Sequence, residues 1–442
     1  MSMEKAMPVS KQAGFALLAG IAALVVLVSA AIFAGLGGRK DDVEAAAPGP
    51  RTDDRAPART WVGTWAAPAT AAEPGRPTGY PDTSIRNVVR TTVGGTAARV
   101  HFSNVFGTRP LLISQATLAI AAAPSEPTAV PGTMRRLTFQ DRPSVTVPAG
   151  ATVTSDAVQL QVPSAADLLV TLYTPQPSGT VTYHPHARQT SYLAAGEHTA
   201  EPEGTAYTQR TRQWRYLSAV DVWTSETQGA VVVLGDSITA GITSSLGANH
   251  RWTDFLAERL RTERGAPPYS VLNQGISGNR ILTDAGADPR NGPSGLHRVE
   301  RDALSRTGVT TLVVQLGIND IIKHPRQLSA PEIVKGLRQL VAAAHRHGVR
   351  AVGATLMPFG GHRQHSPQLE AVRQQVNELI RNGKVFDAVI DFDVALRDPA
   401  HPDRLRPAFD SGDHLHPSDN GYRAMAQAVD LNVLRGKTPT AL

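Results

Sequence analysis

Cleaving an acyl bond through a covalent intermediate needs a nucleophile, a base to take its proton, a group to orient that base, and donors for the oxyanion. The C-terminal half of this sequence holds a candidate for each role. In Val232-Val-Leu-Gly-Asp-Ser-Ile-Thr239 an apolar, β-branched run stops at Gly235 and delivers the hydroxyl of Ser237. In Asp413-His-Leu-His416, His416 is the candidate base, and Asp413, three residues earlier, can hold its Nδ1–H and fix the tautomer. The N–H of Ser237, the N–H of Gly278 and the side-chain amide of Asn319 are candidate oxyanion donors. Each has a plainer reading when taken alone. Gly-Asp-Ser can be a turn before a helix cap, Gly278 a tight turn, Asn319 an Asx turn, and Asp413-X-X-His416 a surface loop before the next helix. Their order, with each loop following an apolar run, favours the chemical reading.

The elements that must position these residues alternate in type. Strand candidates are Ala230–Leu234, Tyr269–Asn273, Thr310–Leu316, Val349–Leu356 and Ala388–Phe392. Amphipathic helical stretches cover Trp252–Leu260, Ile333–His345, Leu369–Ile380 and Gly421–Val429. Short apolar strands separated by helices predict a parallel sheet covered on both faces, a three-layer α/β/α region of flavodoxin-like kind over residues 229–436. The candidate residues then share the carboxyl edge of that sheet, where such folds hold ligands. Residues 61–225 read differently. Ala98–Ser103, Val145–Val147, Thr152–Thr154, Val158–Val162 and Leu168–Tyr173 alternate apolar and polar side chains between Gly, Pro and Asn turns. This pattern predicts an all-β, sandwich or jelly-roll-like region. Tyr183-His-Pro-His-Ala187 is expected to place its two histidines on a solvent face.

Residues 1–38 include an uncharged stretch from residue 12 onward, long enough to span a bilayer, with Lys5 and Lys11 before it and Arg39-Lys40 after it. It is read as a signal peptide or a transmembrane anchor, and in either case it predicts export, with the protein secreted or membrane-anchored. Residues 39–60 are rich in Ala, Pro, Asp and Arg and read as a disordered linker. The chain contains no cysteine, which excludes disulfides, thiolate catalysis and Cys-ligated metals. The net charge of +6 is spread along the chain without a basic run, so nucleic acid is not an expected partner.

Gly235-Asp-Ser237-Ile, Gly278, Gly317-Ile-Asn319-Asp and Asp413-X-X-His416 together resemble the four sequence blocks of the SGNH (GDSL-type) esterase/lipase family. The resemblance covers about residues 229–436, with Ile238 in place of the leucine in the family name. It implies a flavodoxin-like fold and ester hydrolysis through an acyl-enzyme on Ser237. His416 would be the base, Asp413 its orienter, and Ser237, Gly278 and Asn319 the oxyanion donors. No cofactor or metal is implied. The expected partner is a small-molecule or polymer-borne ester, with the membrane a second partner if the N-terminal helix is retained. The expectation is therefore an exported serine esterase. The alternatives are a carbohydrate (acetyl) deacetylase of the same family and a non-catalytic binding module with a hydrolase-like fold. Ser277 is a rival nucleophile on paper. Asp320 and Asp410 read as structural or substrate-adjacent, His345 and His347 as helix-end cations, and His362 and His365 as part of a loop bordering the acyl pocket.

Overall fold

The computed structural model of the chain describes residues 58–286, 288–324 and 327–435. The N-terminal hydrophobic run and all but the last residues of the linker lie outside them. Among the described residues, no helix is long and apolar enough to cross a membrane.

The N-terminal region is antiparallel. In one sheet Leu217–Thr224 lies between Thr60–Ala66 and Gly95–Ser103, and in the other Asp167–Thr174 lies between Thr83–Arg90 and Gln115–Ile120. Successive side chains of a strand point to opposite faces, and in the second sheet both faces are covered, so Asp167–Thr174 is buried along nearly its whole length rather than on alternate residues. Ile85, Leu118, Leu168, Val170 and Leu172 enter the main core, while Val88, Ala119, Leu169 and Tyr192 form a smaller cluster with Tyr207 on the opposite side. One expectation is corrected here. Thr182–His184 is the middle strand of a small three-stranded sheet, and His184 is buried. Its Nδ1 lies 3.2 Å from the Pro68 carbonyl and its ring 5.4 Å from that of Trp214. Burial, helped by neighbouring His186, pushes its pKa down to about 3, so the ring is a neutral core group. Alternation within the strand could not show that a tryptophan from elsewhere covers it.

The C-terminal region is a parallel sheet of strands β1 (Gly229–Gly235), β2 (Tyr269–Gly275), β3 (Val309–Gln315), β4 (Arg350–Ala354) and β5 (Ala388–Ile390) in the order β2-β1-β3-β4-β5. Right-handed crossovers in that order send the first helix to one face and the next ones to the other. Accordingly α1 (Trp252–Thr262) packs with α4 (Asp419–Ala428), whereas α2 (Ala330–Arg346) packs with α3 (Pro367–Asn382). Two helices begin earlier than hydrophobic periodicity suggests, because of their caps. Ser329 and Glu332 form a capping box ahead of α2, and Ser366 caps α3 with Pro367 in its first turn.

The register matters most for function. Gly235 at the end of β1 pairs with Gly275 of β2 on one side and Gln315 of β3 on the other. The loops that follow the three strands therefore leave the sheet side by side. The sandwich packs against β2, the edge strand on that side. The Val271 N–H donates to Thr92 Oγ1 at 3.3 Å, and Leu272 sits where a Cβ on Gly63 would be. The main hydrophobic core runs without a break from Val62 to Leu434.

Candidate active site

Ser237 opens a single helical turn, Ser237–Ala240, directly after β1. Asp236 caps it, its Oδ1 accepting the Ile238 N–H at 2.9 Å, and Gly241 ends it with φ of 80°. The turn fits so closely on the strand ends only because its neighbours lack side chains. A Cβ on Gly235 would lie 2.1 Å from Thr239 Oγ1, and one on Gly275 would lie 2.3 Å from the Ala240 nitrogen. Thr239 Oγ1 in turn donates to Gln315 Oε1 at 2.8 Å, tying the serine turn to β3.

His416 Nε2 lies 2.8 Å from Ser237 Oγ, and His416 Nδ1 lies 2.6 Å from Asp413 Oδ2. A carboxylate can only accept, so Nδ1 carries the proton and Nε2 is free to accept from the serine hydroxyl. Asp413 also takes the main-chain N–H groups of Leu415 and His416 on its other oxygen, at 3.0 and 2.8 Å. Burial opposes its charge, but the His416 ring and these N–H groups outweigh it and hold the carboxyl well below the usual carboxylate range. Asp410 organises the same loop one step back. It accepts from the N–H groups of Gly412 and His414, and its Oδ2 lies 2.6 Å from His414 Nδ1.

The three candidate donors come from the three adjacent strand ends. The main-chain N–H groups of Ser237 and Gly278 have no acceptor among the described residues. Asn319 lies in the short helix Ile318–Ile322 after β3, and its Nδ2 is 3.4 Å from Asp236 Oδ2. Asp236 therefore faces both the serine turn and the amide. It is wholly buried, and burial pushes its pKa up to about 6 against the opposing Ile238 N–H and the nearby His416, Lys323 and Arg298 side chains.

Of the scaffold of the glycine loop, sequence reasoning read Asp320 as structural or substrate-adjacent and missed Arg298 and Asn279. Arg298 is completely buried and donates to the carbonyls of Gly235 at 2.9 Å and Gln274 at 2.8 Å, and to Asn279 Oδ1 at 3.0 Å. Asn279 Nδ2 donates to the carbonyls of Asn291 and Pro293, each at 2.8 Å. Asp320 accepts the Ile281 N–H at 2.9 Å. The glycine loop is thus held by an arginine, an amide and a carboxylate, residue types that in sequence look like surface. Periodicity offers no signal for them.

The other candidates fall elsewhere. His416 is engaged by Ser237 rather than by Ser277, which is half-buried in the glycine loop. His345 pairs with Asp387 at 3.0 Å and His347 with Glu300 at 2.8 Å, both on the surface. Gly361 stands against the His414 ring, and the His362 imidazole is within electrostatic reach of Asp413, so this loop borders the Asp413–His416 segment. His365 packs edge-on against Phe359. Among the described residues, no group of three His, Asp or Glu side chains is placed to hold a metal ion.

Residues 233–424 match the family of GDSL-like lipases and acylhydrolases. No curated protein matches the chain. Among solved structures, a lipolytic protein of the G-D-S-L family from Desulfitobacterium hafniense, described as putative, is 18% identical, with 47% of this chain and 99% of that chain covered and a TM-score of 0.36. An inhibitor-bound aryl esterase of M. smegmatis is 19% identical, covering 47% of this chain and 100% of that one at a TM-score of 0.36. A carbohydrate acetylesterase from Sinorhizobium meliloti is 18% identical, covering 45% and 95% at 0.35. With the parallel sheet and the family match coinciding over the same residues, the C-terminal half of this chain is a domain of the GDSL-like lipase/acylhydrolase family.

Proposed function

We propose that this protein is an exported serine esterase that hydrolyses carboxylic esters through an acyl-enzyme on Ser237. The observation that carries the reading is the continuous relay from Asp413 to His416 to Ser237, with contacts of 2.6 and 2.8 Å. His416 Nε2 takes the hydroxyl proton as Ser237 Oγ bonds to the carbonyl carbon. The negative oxygen that forms is met by the N–H groups of Ser237 and Gly278 and by the Asn319 amide. Collapse breaks the ester C–O bond, and the imidazolium returns its proton to the leaving alcohol. Water then repeats the sequence on the acyl-enzyme and releases the acid. Asp413 keeps the proton on Nδ1 throughout and stabilises the imidazolium. The buried carboxyl of Asp236 adds negative potential beside the same imidazole.

Purified protein is expected to hydrolyse short-chain p-nitrophenyl esters, and Ser237→Ala is expected to lower kcat by about 10³-fold or more with the fold intact. Unchanged turnover in that variant would sink the assignment. Acetylated sugars, aryl esters and triglycerides compared side by side then identify the alcohol half of the substrate and separate a carbohydrate deacetylase from a lipase. Export is carried by the uncharged apolar run within residues 12–38. Sequencing the N-terminus of protein recovered from membranes and from culture medium separates a retained anchor from a cleaved signal.

A further inference from the structure

Lys323 connects two of the oxyanion donors with its two ends. It closes the short helix Ile318–Ile322, and its main-chain N–H donates to the carbonyl of Asn319 at 3.2 Å. Its side chain crosses to the neighbouring loop, where Nζ donates to the Gly278 carbonyl at 3.1 Å and to Asn291 Oδ1 at 3.0 Å. The fit around Gly278 is tight. Its φ is +76°, and a Cβ there would lie 2.0 Å from Asn291 Oδ1 and 2.3 Å from Lys323 Nζ. Asn291 is anchored in turn, since its carbonyl accepts from Asn279 Nδ2 at 2.8 Å. A lysine ammonium is strongly hydrated and is normally left in water. Here it is half-buried, and fixed acceptors of the glycine loop replace part of its hydration.

We infer that Lys323 is a positioning residue that holds the Gly278 N–H and the Asn319 amide at a fixed separation for the oxyanion, an inference that rests on the reaction proposed above. Oxyanion donors act because they are placed before charge develops, and displacement by a fraction of an ångström weakens them. Other groups maintain the fold of the loop. Arg298 holds Asn279 from behind, and Asp320 holds the Ile281 N–H. Removing the ammonium therefore leaves the loop folded but free to drift relative to Asn319.

The test uses the full chain, a p-nitrophenyl ester and an alkylboronic acid as a mimic of the tetrahedral intermediate. Lys323→Met keeps the length of the side chain and removes its donors. It is expected to lower kcat about tenfold with KM changed by less than about twofold, and to weaken boronate binding by the same factor as kcat/KM. Asn291→Ala, which removes one of the two acceptors, is expected to give a smaller drop of the same kind and decides the matter alone if Lys323→Met does not fold. A kcat within about twofold of wild type, even with a lowered melting temperature, overturns the inference and leaves Lys323 only a structural role. A rise in KM with kcat unchanged also overturns it, because it would make Lys323 a substrate ligand. Wild-type protein without turnover fells the esterase reading and this inference together. Turnover that depends on Ser237 but not on Lys323 fells the inference alone.

Discussion

Asp236 and Asp320 are buried carboxyls just beyond the ends of β1 and β3, and their burial has a measurable consequence. Burial raises Asp320 to about 7, against the pull of the Ile281 and Leu282 N–H groups and of Arg280, and it raises Asp236 to about 6. An acid whose pKa is higher in the folded state than in the unfolded chain binds its proton more tightly when folded. Its contribution to stability is therefore complete below the unfolded value, near 4, and is lost as pH rises through the folded value. Asp320→Asn keeps a carbonyl acceptor for the loop N–H groups and cannot ionise. Wild type is expected to lose stability relative to Asp320→Asn between about pH 4 and about pH 8, most steeply between the unfolded and folded values and levelling off above the Asp320 value. Melting temperatures of the two proteins across that range check this, and parallel curves would show that Asp320 does not titrate there. These carboxyls also mark the limit of the sequence at this scale. Ser237, His416 and Asp413 stand out because their types and order suggest chemistry. Arg298 and Asp236, each wholly buried, resemble the charged residues of any surface turn, because burial of a charge is decided by partners distant in sequence.

The elements meet at the aligned ends of β1, β2 and β3, and the closeness of that meeting depends on glycines. Gly275 faces the main chain of the Ser237 turn, with no room for a methyl group between them. Gly275→Ala is expected to push the turn away from β2, destabilising the protein by about 1–3 kcal/mol, as overpacking does. Because the displaced segment carries Ser237, kcat should fall further than stability alone would explain. Denaturant titration together with single-turnover acylation distinguishes the two effects, and an unaltered acylation rate in the folded variant would show that the contact does not set the serine. Strand identity was legible here, since each β-branched run became a strand of the sheet. Strand ends were less so. Leu356, expected to lie in β4, leaves the ladder because Asn377 takes both its N–H, at 2.7 Å, and its carbonyl, at 2.8 Å. Side-chain competition for a strand's hydrogen bonds leaves no trace in apolar periodicity.

At the scale of the whole molecule, the sandwich and the C-terminal half share more than a linker. The Gly63 N–H donates to the Thr307 carbonyl at 3.0 Å, Thr307 Oγ1 donates to Asp221 at 2.8 Å, and Arg301 donates to the Ala69 carbonyl at 2.9 Å. Further along the seam, the Gly247 N–H donates to the Arg188 carbonyl at 2.9 Å, and the Arg251 guanidinium reaches the Ala187 carbonyl. Sequence periodicity separates two regions and does not reveal this seam, because alternation tells which side of a strand is apolar but not what covers it. With its edge strand covered and its core continuous, the C-terminal half is expected to unfold together with the sandwich in one transition. The protein supplies its own probes. Four of its five tryptophans, Trp61, Trp65, Trp214 and Trp223, lie in the sandwich, whereas ester hydrolysis reports on the other half. Fluorescence and activity should therefore be lost at the same urea concentration. Residues 226–442 produced alone should be poorly soluble, because β2 would present an open edge beside uncovered Leu272. A soluble, active fragment melting at the temperature of the intact protein would show instead that the sandwich only rests on an independent enzyme.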